Sequence, residues 1–61
     1  MSYYKQCYWI IKEATKDMDA VYEDYITHLI GVTGLAELQH HNLLEPCGIV
    51  QGRQLYTLLD K

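Results

Sequence analysis

Apolar positions recur at helical spacing through the middle of the chain. Met18, Val21, Tyr22, Tyr25, Ile26, Leu29 and Ile30 share one face of a 3.6-residue period. This predicts a helix over 17–30 with Tyr25 and Leu29 anchoring the core. Asp17 suits its N-cap, and Asp19 its first turn, where the helix dipole favours an anion. Gly31 suits the stop, because glycine takes the left-handed conformation without steric cost. Gly31-Val32-Thr33-Gly34 then reads as a tight connection, with Thr33 capping a second helix from Leu35 to His41. Leu35 and Leu38 are expected to face inward, and Asn42 to end the helix.

The two ends of the chain read differently. Pro46 stops any helix, and Gly48 and Gly52 bracket Ile49-Val50-Gln51. Arg53 to Leu59 is rich in strand formers, so a hairpin is predicted with its turn at Gln51-Gly52 and Arg53 exposed at the tip. In the first fifteen residues, Tyr3, Cys7, Ile10, Ile11 and Ala14 fit a helix face that continues into Met18. The composition of Tyr3 to Ile11 is β-prone, but the spacing favours helix. The expected fold class is a small α-rich α+β domain, two to three helices followed by a C-terminal β-hairpin.

Size sharpens this picture. A single domain of 61 residues buries only roughly 60% of the surface its unfolded chain exposes. A hydrophobic fraction of 49% is too high for disorder. A core this small gains from a second subunit, and Tyr3, Tyr4, Tyr8 and Trp9 cluster at one end as a candidate interface. Self-association is therefore expected.

Charge narrows the partners. The net charge is −3, and the cations Lys5, Lys12, Lys16, Arg53 and Lys61 are thinly spread, which disfavours a duplex nucleic-acid partner. From Glu13 to Asp24, five carboxylates face only Lys16. The sequence predicts the solvated back of a helix there, with an acidic docking patch as the sharper alternative. No apolar run is long enough to span a membrane, and no charged leader precedes an apolar stretch, so a cytoplasmic protein is expected. Cys7 and Cys47 are then expected to stay reduced, as small buried hydrophobes.

Candidate chemistry is sparse. His28, His40 and His41 with the two cysteines are the candidate metal ligands, but no short Cys or His pair has zinc spacing. Adjacent histidines on a helix point about 100° apart. Gly31-Val32-Thr33-Gly34 lacks the lysine and length of a phosphate loop. No cofactor, metal or catalysis is expected.

The run from Leu35 to Gly48, followed by Gly52-Arg53-x-x-Tyr56-x-Leu58, resembles the last helix and wing of winged-helix regulators. The resemblance covers the C-terminal half. It implies an amphipathic helix leading into a hairpin with Gly-Arg at its tip, and it makes Gln39, His40 and Arg53 candidate binding residues. A DNA-reading helix offers cationic or amide side chains to base edges. Leu35 to Glu45 holds no Arg or Lys and includes Glu37 and Glu45. The expected function is a small regulatory adaptor that dimerises and binds another protein, of the kind that phages and other mobile elements encode. The alternative is a dimeric winged-helix transcription regulator that binds DNA.

Overall fold

The computed structural model describes residues 2–59. Helix α1 (Tyr3–Ala14) leads through a turn into the two-residue strand β1 (Val21–Tyr22). Helix α2 (Glu23–His40) follows, and then strands β2 (Leu44–Val50) and β3 (Arg53–Leu58). The strands pair antiparallel in the order β1-β3-β2. This is the expected α+β class, with a sheet of three strands where the sequence predicted two.

The middle of the chain departs most from expectation. Helix α2 begins at Glu23, six residues after the predicted start. Residues 15–17 form a turn after α1, closed by the Met18 amide donating to the Thr15 carbonyl at 2.9 Å. Asp17 and Asp19 therefore lie in a connection, so the acidic run is not the back of one helix. Val21 and Tyr22 pair with Tyr56 and Leu55. A β-branched residue beside an aromatic suits a strand, and the long-range pairing overrides the local helical period. Glu23 and Asp24 provide the anions in the true first turn.

The phase of the core shifts accordingly. Ile26 is fully buried at 0%, whereas Tyr25 is 38% exposed and Leu29 only packs against the core from its edge. Met18 is exposed as well. Of the predicted face, Val21 and Ile26 are buried and Leu29 and Ile30 pack against the core; the misplaced anchor is Tyr25, because the face was extrapolated through Met18 and Tyr22, which are not helical. In α1 the favoured helix is present, with Cys7 and Ile11 inward. Cys7 is a buried free thiol, but Cys47 is exposed. The reason is a β-bulge: Pro46 opposes Tyr56 and Gly48 opposes Leu55, which leaves Cys47 as the extra residue of an edge strand. An edge strand also tolerates the missing N–H of Pro46.

Gly31 breaks α2 at φ 76° and ψ 173°, backbone that essentially only glycine adopts. Helical geometry resumes at Val32, so the expected four-residue connection is a one-residue kink. A side chain at Gly34 would lie 2.7 Å from Ile30 Cβ, so Gly34 keeps the two arms of α2 close. The second arm buries Leu35 and Leu38 as expected. It ends in a Schellman motif at Asn42, φ 57°. The Leu43 amide donates to the Leu38 carbonyl at 2.9 Å and the Asn42 amide to the Gln39 carbonyl at 3.0 Å. Leu38 and Leu43 are both buried, which supplies the apolar contact of that motif. At the hairpin, Gln51 and Gly52 both take positive φ, 54° and 76°, the requirement of a type I′ turn.

Three substitutions test this packing in urea melts. Ile26→Ala is expected to cost about 2–5 kcal/mol, while the exposed Tyr25→Ala costs far less; the reverse order would contradict the observed phase. Gly→Ala inside an unbroken helix stabilises by about 1 kcal/mol. Gly34→Ala is expected to destabilise instead, because the new methyl meets Ile30.

Candidate functional site

Three arrangements bring polar and aromatic side chains together. The first ties the sheet to both arms of α2. The Tyr56 hydroxyl donates to Glu23 Oε2 at 3.1 Å and accepts from Gln39 Nε2 at 2.8 Å. Burial, and then the Glu23 carboxylate, raise the Tyr56 hydroxyl above its ordinary pKa. Gln39, a candidate binding residue, is thus engaged within the fold.

The second arrangement holds the hairpin. Arg53 Nη2 donates to Asp24 Oδ2 at 2.6 Å, and its guanidinium lies 3.8 Å from the Tyr22 ring centroid. Both charged side chains remain substantially exposed, at 46% and 62%. Such a pair contributes little stability by itself. Its consequence is directional, because carboxylate and ring together fix the planar guanidinium against the body of the protein. The hydrogen bond from Arg53 also holds the Asp24 carboxyl below its usual range. That contribution is present above the ordinary carboxylate pKa and is lost as pH falls through the lowered one.

The third arrangement lies on and beside α1. Tyr4 stacks on His41 with centroids 3.6 Å apart, and His41 meets His40 edge-on at 5.2 Å. His41 Nε2 is 3.8 Å from Glu37 Oε2. His40 is exposed beside this stack. Tyr3 is 49% exposed, and a hydrogen bond to Cys7 raises its hydroxyl pKa. Tyr8 is half-buried, and Trp9 is 61% exposed. The four expected interface rings therefore do not form one surface. Tyr4 and Tyr8 close the core, while Tyr3 and Trp9, six residues apart on a helix, point about 120° from each other. Tyr3 instead shares its flank with Ile10, which is 41% exposed.

Among the described residues, no group of three or more His, Cys, Asp or Glu is placed to hold a metal ion, and no helix is long and apolar enough to cross a membrane. No protein-family model, curated protein or solved structure matches the chain.

Sequence reasoning missed Asp24, Tyr22 and Glu23 as partners of the hairpin. The usable signal was Val21-Tyr22 as a strand. Once Val21 opposes Tyr56 and Tyr22 opposes Leu55, continuing that register brings Asp24 level with Arg53.

The Tyr56 network has a pH signature. A folded-state pKa above the unfolded value leaves its contribution intact below about pH 10 and removes it as pH rises through the folded value. Tyr56→Phe is expected to cost about 0.5–1.5 kcal/mol at pH 7. The variant should also lose less stability than the native chain above pH 10. Parallel losses for the two proteins in alkaline urea melts would contradict the network.

Proposed function

We propose that this chain is a small regulatory adaptor that binds another protein and itself on a winged-helix-like scaffold, without catalysis of its own. The order helix, short strand, bent helix and hairpin, with β1 beside β3, supports the scaffold. The observation that carries the functional reading is the placement of Arg53. A wing that reads nucleic acid extends its cations toward phosphate. Here the hairpin's arginine is folded back onto Asp24 and Tyr22. The second arm of α2 exposes Val32, Thr33, Ala36 and His40 and carries no Lys or Arg. That composition suits a protein partner better than a polyanion.

Apolar exposure supports self-association. Among the described residues, nine hydrophobic ones form the buried core, while eight large ones are exposed, including Tyr3, Ile10, Val32 and Ile49. Near parity of buried and exposed apolar side chains points to a surface that is covered in use. Tyr3 and Ile10 are seven residues apart, about 20° around the helix. Together they offer α1 a continuous seam for a second copy.

Fluorescence anisotropy with labelled duplex DNA separates this reading from a DNA-binding dimer. At low salt the native chain and Arg53→Gln are expected to behave alike, with weak binding at most. A nanomolar, sequence-selective complex that weakens steeply with salt and is lost in Arg53→Gln would instead establish the DNA-binding regulator.

A further inference from the structure

Two of the five cationic side chains, Lys5 and Lys12, lie with Trp9 on one stripe of α1, and a third, Lys16, stands in the turn after it. Lys5, Trp9, Lys12 and Lys16 follow one another at intervals of four, three and four residues. This spacing keeps Lys5, Trp9 and Lys12 within about 60° of arc, on the side away from Cys7 and Ile11. The helix ends at its C-cap Thr15, at φ −121° and ψ 22°, and Lys16 stands in the turn beyond it, at the edge of the groove beside α1. Trp9 lies within the stripe and is 61% exposed. Among the described residues, neither Lys5 nor Lys16 is in an ion pair. A chain of net charge −3 thus keeps a positive, aromatic ridge.

A groove of about 270 Å³ runs along the edge of this ridge. Tyr8, Met18, Val21 and Leu58 give it apolar surface, Thr15 and Thr57 add hydroxyls, and Lys12 and Lys16 lie among its lining residues. The Lys12 ammonium lies 5.6 Å from the centroid of the Tyr8 ring. Asp19 stands in the groove wall as well. A cavity of about 150 Å³ already accepts benzene, so the groove has room for one bulky apolar side chain. Met18 is 52% exposed although it is a large apolar residue, and it is available to such an occupant.

We infer that the ridge and groove form a docking surface for an acidic segment of a partner protein, one that seats a leucine- or phenylalanine-sized side chain in the groove and sets carboxylates against Lys5 and Lys16. The inference rests on the adaptor reading and gives its partner a chemistry. The occupant follows from the pairing of apolar groove surface with lysines. Single-stranded nucleic acid would use aromatic platforms along a basic channel, whereas most of this groove's apolar lining is aliphatic. A membrane surface would need a broad apolar face, and Trp9 is the one apolar side chain on the ridge. Asp19 repels carboxylates from its own part of the groove, which directs the partner's acidic residues toward the lysines.

Trp9 is the sole tryptophan and reports on the ridge directly. The probe is a synthetic twelve-residue peptide of Asp, Glu and Leu, titrated against the full chain while Trp9 emission is followed. A saturable change that weakens with added salt is expected. The Lys5→Gln/Lys16→Gln double variant should bind about three- to tenfold more weakly. Met18→Asp, a change at an exposed position, should remove the response, with circular dichroism confirming that both variants fold. No saturable response to the acidic peptide would overturn the inference. So would equal binding of a control peptide with Gln and Asn in place of the acids. A response confined to oligothymidylate or to vesicles containing anionic phospholipid would overturn it too, by assigning the ridge to a different partner. Duplex DNA binding and self-association report on other surfaces, so failure here is distinguishable from failure of the adaptor reading.

Discussion

The backbone break at Gly31 is the constraint on which the rest of the molecule depends. An uninterrupted helix from Glu23 to His40 would be about 27 Å long, and one straight rod cannot put both Ile26 and Leu38 into the same small core. Positive φ at a single residue bends the rod, and Gly34 lets Ile30 approach the second arm. Ile26, Leu35 and Leu38 then meet Cys7 and Ile11 of α1 and Tyr56 of the sheet in one cluster. The bend also sets the direction in which the chain leaves through Asn42 into the hairpin.

With so few residues inside, the surface is forced to carry apolar side chains, and their distribution is organised. One flank of α1 carries Tyr3 and Ile10, the opposite flank carries Lys5 and Lys12 around Trp9, and the second arm of α2 carries no Lys or Arg and only the half-buried Glu37 as a carboxylate. Between them the hairpin is held by Arg53, Asp24 and Tyr22. The polar contacts therefore position the elements, while the open surface carries apolar side chains, the lysines of and beside α1, and the exposed carboxylates of Glu13, Asp17, Asp19 and Glu45.

The elements whose stability is local were the legible ones. Gly31, Asn42 and the Gln51-Gly52 turn could be placed from residue type alone, because positive φ is a property of one or two residues. Leu35 and Leu38 followed from spacing within a well-bounded helix. What failed depended on partners far along the chain. Val21-Tyr22 looks helical until Tyr56 and Leu55 are beside it, and the anchoring role expected of Tyr25 failed with it. Cys47 looked like a core residue because nothing in its neighbours announces a bulge. Arg53 was correctly read as exposed, but its carboxylate partner lies 29 residues away. Tyr3, Tyr4, Tyr8 and Trp9 all lie on α1 but on different sides of it, since proximity in sequence says nothing of which rings share a side.

The central claim, that this small core works by being covered, is tested most directly by sedimentation equilibrium of the native chain alongside Tyr3→Ser/Ile10→Ser. A hundredfold dilution series spans about 2.7 kcal/mol of association free energy. The native chain is expected to approach a dimer mass at the upper end and to dissociate on dilution, while the double variant stays monomeric and folded. A monomer mass for the native chain across the whole series would contradict the account.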